Sequence, residues 1–287
     1  QIIYNSITII KGNLSAYESI KEDLKKINIS TIKKNDYTQP VWSKNNEIIL
    51  KEATFIYPGK NSPALSSISL KIKPNTLVGF VGTSGSGKST IADLISGLII
   101  PKHGKVIIDG IPLDEQNINL WKKKIGFVSQ AIFLIEGTIV ENIAFGVSED
   151  LIDHKKIEKV LKLSNLYEFV SKLEKGVHSK VGERGVQLSG GQRQRIGIAR
   201  TLYYDADVLI FDEATSALDG ITEKVIMDSI QDFTGKKTLI LIAHRLETIK
   251  KCDEIFMMEN GKIVDQGEYG YLLSNNEQFK KMSDHTE

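Results

Sequence analysis

The sequence predicts an α/β fold: a parallel sheet flanked by helices, with an antiparallel β region before it and a helical insert within it. Three observations support this. From residue 47 onward, short runs rich in β-branched and apolar residues recur between turn signals. Between them lie helical periodicities, such as Ile91, Leu94, Ile95 and Leu98 at i, i+3, i+4 and i+7. From about 131 to 187 the pattern reads as mostly helical, with Ile157, Val160 and Leu161 on one stripe. Alternating strands and helices imply a parallel sheet, and the antiparallel start and helical insert are additions to it.

Taken in order, residues 1–28 carry Ile3, Ile7, Ile10, Leu14, Tyr17, Ile20, Leu24 and Ile27 in steps near three and four. This is a helical stripe close to a heptad. It suits an amphipathic helix on its own domain or the cytosolic end of a preceding membrane helix, and its position favours the second. Residues 29–46 are polar, broken by Pro40, and read as a linker. The domain proper spans 47–273, and 274–287 read as a C-terminal tail. Strands are expected at 48–56, 65–72, 77–81 and 106–109, with turns at Pro58-Gly59, Lys73-Pro74-Asn75 and Asp109-Gly110. A helix follows at 89–98, then the insert. Next come a helix at 193–204, a strand at 208–211, a helix at 222–230 and a strand at 238–242. A final hairpin, 255–259 with 262–264, turns at Asn260-Gly261, a pair suited to a type I′ turn.

Composition bounds the function. Lys plus Arg is 37 and Asp plus Glu is 36, so bulk charge gives a nucleic-acid surface no support, and no nucleic-acid partner is expected. The single cysteine, Cys252, excludes an internal disulfide and Cys-based metal clusters, and suits a reducing compartment. No run approaches the ~20 apolar residues that cross a bilayer. The chain opens on Gln1 within a periodic pattern and reads as part of a longer polypeptide.

Two segments carry chemistry on their residues alone. Gly82-Thr83-Ser84-Gly85-Ser86-Gly87-Lys88-Ser89-Thr90 fits G-x-x-x-x-G-K-[ST], with a strand before it and a helix after it. Its glycines let backbone N–H groups turn inward around phosphates, and the helix N-terminus adds a positive dipole end. Lys88 is expected to reach the β- and γ-phosphates, and the Ser89 hydroxyl to ligand Mg²⁺. The second segment, Val208 to Glu213, is a buried-strand pattern ending in two acids. Asp212 is placed to hold Mg²⁺, through water, and Glu213 to orient and activate attacking water. A strand running into a solvated acidic turn is the plainer alternative for the second segment taken by itself.

Leu188-Ser189-Gly190-Gly191-Gln192 lies between these segments. It resembles the signature sequence of the ABC ATPases, and residues 47–273 look like the nucleotide-binding domain of an ABC transporter. The resemblance implies a P-loop NTPase core with an antiparallel β subdomain and an inserted α-helical subdomain. It implies ATP and Mg²⁺ as ligands. Tyr57 matches the aromatic that stacks on adenine. Gln130 matches the glutamine that senses Mg²⁺ and links to the membrane domain. His244 matches the histidine contacting the γ-phosphate. Ser216-Ala217-Leu218-Asp219 matches the loop that crosses the dimer interface. In such a dimer the signature residues Leu188 to Gln192, with Asp219, serve the ATP of the second copy. Ser189 then donates its hydroxyl to the γ-phosphate, with the helix from Gln192 aimed at the anion.

The segment Val181-Gly182-Glu183-Arg184-Gly185 and residues 133–146 resemble exporters, in which the former touches intracellular loops of the membrane domain. Arg193 and Arg195 suit phosphate binding or intersubunit or surface ion pairs, and the ion pairs are the expectation. The expected partners are thus a second copy of this domain and a transmembrane domain of the same full-length chain, at the cytoplasmic face of the cell membrane. The wording of the domain, including Ile196-Gly197-Ile198-Ala199-Arg200, is similar to exporters that flip lipids or lipid-linked oligosaccharides. A soluble ABC ATPase of DNA repair or chromosome structure carries long coiled coils between phosphate loop and signature; here about a hundred residues intervene without a long heptad run. A separate importer subunit is opposed by the upstream stripe and the exporter-like loops.

Overall fold

A computed structural model of the chain describes residues 46–215, 217–243 and 246–284, together with Trp42 and residues 1, 3–6, 11–14, 17, 18, 20, 21 and 24. The chain divides into two units, Gln1–Gln39 and Pro40–Glu287. In the first, the described residues from 3 onward are helical, and Ile3, Leu14, Tyr17, Ile20 and Leu24 of the stripe are exposed, as is Tyr4 beside it. Ile7, Ile10, Ile27 and most of the linker lie outside the described residues.

The second unit holds two sheets. The antiparallel one, in the order β2-β1-β4-β5, is built from β1 (Ile48–Phe55), β2 (Leu65–Ile72), β4 (His103–Ile108) and β5 (Ile111–Pro112). The second has the order β10-β9-β3-β8-β7-β6. Its strands β3 (Leu77–Gly82), β6 (Ile125–Val128), β7 (Val208–Asp212), β8 (Thr238–Ile242) and β9 (Glu254–Glu259) pair in parallel, and β10 (Lys262–Gly267) closes one edge antiparallel to β9. At the hairpin between β9 and β10, Asn260 and Gly261 both have positive φ, 48° and 73°, as a type I′ turn requires.

β3, β7 and β8 are buried along their whole length, which explains their near-continuous apolar runs. Their side chains alternate between two cores. Leu77, Val81, Leu209, Phe211, Leu239 and Leu241 join a core with Ile143, Ile157, Leu161, Ile196 and Ile198. Val78, Phe80, Val208, Ile210, Ile240 and Ile242 join another with Ile91, Leu94, Ile95 and the antiparallel sheet's Ile48 and Leu50. The phosphate-loop helix α1 (Lys88–Ser96) thus packs on one face and the helical segment on the other.

Several boundaries differ from the sequence expectation. α1 ends at Ser96, because Gly97 at φ 74° closes it: Gly97 N–H donates to Leu94 and Leu98 N–H to Asp93. Leu98 is therefore past the helix and 57% exposed rather than on its buried stripe. The segment 111–128 yields the short helix α2 (Ile118–Lys122) and edge strand β6, neither of which the pattern announced. The insert is a set of short pieces: α3 (Ile139–Ile143), α4 (His154–Leu163) and α5 (Tyr167–Ser171), joined by turns and 3₁₀ segments. The signature helix α6 (Gly190–Tyr203) and the next helix α7 (Gly220–Gln231) each begin earlier than expected. The tail holds α9 (Glu277–Asp284), preceded by α8 (Tyr269–Asn275), and Phe279 within it is fully buried. Burying a phenylalanine stabilises by about 1.5–3 kcal/mol, enough to hold a two-turn helix that propensity alone would not.

Trp42 is buried and meets Trp121 edge-on, with ring centroids 5.8 Å apart. The Trp121 indole N–H in turn donates to the Ile95 carbonyl at 2.7 Å, in the last turn of α1.

Candidate nucleotide site

The end of β3 and the start of α1 set the loop 82–88. Gly82, Gly85 and Gly87 have φ of 146°, 77° and 102°, which favour glycine. At Gly82 a Cβ would also lie 2.1 Å from the Met258 carbonyl oxygen, so the loop is pressed against β9. The Lys88 ammonium is buried and donates to the carbonyls of Gly82 and Thr83 at 2.9 and 3.0 Å. Burial lowers its pKa below the usual value, against the opposing pull of Glu213 and Asp212. The Ser86 hydroxyl is buried with no hydrogen-bond partner, an orphan of the kind a bound ligand or water satisfies.

Ser89 Oγ, in the first turn of α1, donates to Asp212 Oδ1 at the end of β7, at 3.2 Å. Burial raises the Asp212 pKa; the Ser89 hydroxyl opposes this, while Glu213 and Asp93 add to it. Glu213 has φ 50°, an uncommon region for a residue with a side chain. Its Oε2 accepts from Gln130 Nε2 at 2.6 Å, linking the segment after β6 to the end of β7. Tyr57 is 41% exposed, packs edge-on against Phe55, and its hydroxyl shares a 3.2 Å hydrogen bond with Thr90. Tyr57, Ala64, Ser84, Gly85, Gly87, Lys88, Ser89, Thr90, Gln130 and Glu213 line one open cleft. Thr83 lies beside them, exposed on the same loop.

Leu188 to Gln192 are not among the residues of that cleft. Ser189 instead caps α6: its Oγ accepts from Gln192 N–H at 3.2 Å, while Gln192 Oε1 accepts from Ser189 N–H at 2.8 Å. Gly191 lies against the Ala217 carbonyl and Leu218, where a Cβ would sit 3.3 Å from each. Asp219 caps α7 through Thr222 N–H at 3.0 Å, a contact that holds its carboxyl below the usual pKa. His244 and Ser216 lie outside the described residues.

Within the chain, Arg193 donates to the Leu188 and Gly185 carbonyls and Arg195 to the Asn165 carbonyl, with the Asp219 carboxylate offsetting part of the cost of burying Arg195. The sequence reading gave no role to a contact between the insert and α6. Asn142, fully buried, exchanges hydrogen bonds with Ile135, and Arg200 donates to the Asn142 and Phe133 carbonyls. An arginine amid the apolar run of α6 was the available signal.

A glycine-rich loop wrapped at a helix N-terminus, a lysine at its base and a carboxylate at the end of the parallel strand β7 define a nucleoside-triphosphate site of the P-loop kind. The comparisons with known proteins narrow this class. Residues 65–216 match the family model described as ABC transporter, and the chain belongs to that family, carrying its ATP-binding domain. It is 41% identical over 238 residues to the ATP-dependent lipid A-core flippase of Photorhabdus laumondii, covering 83% of this chain and 41% of that protein. The protein of the same name from Pseudoalteromonas translucida is 42% identical over 230 residues, 80% of this chain and 39% of the relative. Among solved structures, a bacterial Atm1-family ABC exporter with ATP bound is similar at a TM-score of 0.83 and 31% identity, covering 92% of this chain and 46% of that one. The chain thus spans about two fifths of the length of these curated relatives. Among the described residues no helix is long and apolar enough to cross a membrane.

Proposed function

We propose that this chain hydrolyses ATP as the motor domain of an ABC exporter. The observation that carries the reading is the convergence of Lys88, Ser89, Gln130 and Glu213 on one cleft, with Tyr57 among its lining residues and Asp212 held behind it by the Ser89 hydroxyl. Tyr57 offers a ring face to adenine. The loop N–H groups and Lys88 bind the phosphates, with Lys88 exchanging its two loop carbonyls for phosphate oxygens. The hydroxyl of Ser89, the carboxylate of Asp212 and the amide oxygen of Gln130 are the hard oxygen donors that suit Mg²⁺. When bound, Mg²⁺ neutralises charge on the phosphate oxygens. Glu213 orients water and takes its proton as the new bond to the γ-phosphorus forms and the bond to the bridging oxygen breaks, releasing ADP and phosphate. His244 is the proposed contact to the γ-phosphate.

In the same reading, two copies close head to tail around two ATP molecules. Leu188, Ser189, Gly190, Gly191, Gln192 and Asp219 of each copy face the phosphates held by the other. A transmembrane domain of the full-length chain docks near the segment 181–185 and the loop 133–146, which Arg200 pins to α6. The domain then works at the cytoplasmic face of the membrane. The flippase names of the relatives support a lipid or lipid-linked saccharide as cargo.

The test is Glu213→Gln. It keeps ATP binding, lowers turnover by about 10²-fold or more, and accumulates an ATP-bound dimer visible by light scattering. Steady-state hydrolysis at the wild-type rate removes Glu213 from this role.

A further inference from the structure

A second pocket lies behind Glu213, walled by Phe211, Met227, Leu241 and Ala243. Its lining includes three polar side chains that the nucleotide reading leaves unused: Thr215, Glu223 and Thr248. Glu223 stands one turn into α7 and is 9% exposed. Its Oε1 accepts two hydroxyls, from Thr215 at 2.8 Å and from Thr248 at 3.1 Å.

The sequence positions of these partners give the arrangement its meaning. Thr215 comes two residues after Glu213, on the segment that runs to Asp219. Thr248 lies in the 3₁₀ turn Leu246–Ile249, four residues after His244. Glu223 belongs to the helix that Asp219 caps. One carboxyl oxygen therefore joins the segment carrying the proposed base, the loop proposed to cross between copies, and the segment carrying the proposed γ-phosphate contact. Acidic side chains are almost never buried without partners, and an apolar residue beside Met227 would fill this wall at lower desolvation cost. Fixing three segments to within a fraction of an ångström is a requirement of catalysis rather than of folding.

We infer that Glu223 is a positioning residue for hydrolysis: through Thr215 and Thr248 it sets where the Glu213 carboxylate and the segment after β8 stand relative to the γ-phosphate. This rests on the nucleotide-site reading above.

The experiment uses the 287-residue chain. It measures the ATP dissociation constant, kcat, KM and the thermal midpoint for Glu223→Ala, Glu223→Gln, Thr215→Val, Thr248→Val and the double threonine variant. Glu223→Ala lowers kcat about tenfold or more while the dissociation constant stays within about twofold. Glu223→Gln restores most of kcat, because the amide oxygen still accepts both hydroxyls. The double threonine variant reproduces the kcat loss, and adding Glu223→Ala to it costs little more, since the three act as one unit. A folded Glu223→Ala variant with kcat within twofold of wild type overturns the inference, as does a loss confined to binding. Should Glu223→Ala not fold, the double threonine variant decides alone, and unimpaired kcat there overturns it. A wild-type chain that hydrolyses no ATP overturns the nucleotide-site reading along with the inference; active wild type beside an unimpaired variant overturns the inference only.

Discussion

Two helix N-termini in this chain are proposed to face phosphate, and they are finished in opposite ways. α1 starts behind Gly87, held at φ 102°, and no side chain caps it. α6 starts behind Ser189 in a full capping box with Gln192. A glycine cap forgoes only a few tenths of a kcal/mol relative to serine. The first end therefore gives up little stability while leaving its N–H groups to a ligand, and the Lys88 ammonium rests meanwhile on loop carbonyls. The second end is satisfied inside its own chain, and Ser189 is exposed. The box does not spend the serine's proton, because Ser189 Oγ accepts from Gln192 N–H and the hydroxyl hydrogen stays available to an acceptor. One end leaves its N–H groups without a side-chain cap; the other is capped within its own chain and keeps a hydroxyl hydrogen to donate.

That contrast can be broken first at the open end. Lys88→Ala removes the cation from a buried phosphate site, so ATP binding measured by calorimetry falls by at least about tenfold, and turnover follows. Complementation between two chains sharpens it next. Lys88→Ala mixed with Ser189→Arg forms heterodimers in which one composite site collects both defects and the other none. Hydrolysis recovers to at most about half of wild type if the sites fire independently. The doubly mutated chain mixed with wild type places one defect in each site and gives less activity at matched heterodimer content. Equal activity in the two mixtures means that the signature acts within its own chain.

A smaller effect tests the cost of keeping the open end poised. Burial raises the Asp212 pKa, so the folded state holds this proton more tightly than the unfolded state does. Its contribution to stability is unfavourable above the folded pKa and fades as pH falls through that value towards the ordinary 3.8. Asp212→Asn therefore raises the unliganded thermal midpoint at neutral pH, and the gain shrinks in acid; a gain independent of pH points to packing instead. The smallest effect separates cap from donor at the closed end. Ser189→Ala costs the fold about 0.5–2 kcal/mol and Ser189→Gly only a few tenths, since glycine also caps. Both lose the hydroxyl, so dimer turnover falls alike in the two. Turnover that tracks stability instead shows that the serine acts only as a cap.

The open end was legible in the sequence because its chemistry is local: Gly82 to Thr90 are contiguous, and a loop of that composition between strand and helix has few other uses. The apolar runs of β7 and β8 were legible because both faces of those strands are buried. What stayed hidden depends on partners distant in sequence. β6 is four residues long and is specified by its neighbour β7 rather than by a pattern of its own. The clamp of Glu223 joins positions 215, 223 and 248, and nothing in a linear reading distinguishes that glutamate from one on a solvated helix face. Helix α9 reads as a tail because its short polar sequence shows only Phe279 and Met282 as apolar residues, and the core that receives Phe279 is built elsewhere. Leu98 shows the converse error, a periodicity that ran on past the glycine that stopped the helix.

The two tryptophans of this chain, Trp42 and Trp121, stand ring against ring, where the chain enters the domain and meets the far end of α1. The molecule thus carries a single tryptophan pair at a known address. Its emission reports burial at that junction and nothing from the signature helix, which holds no tryptophan. Light that excites tryptophan selectively reads one thing, whether Trp42 stays against Trp121, so a spectrometer can follow that contact without a label.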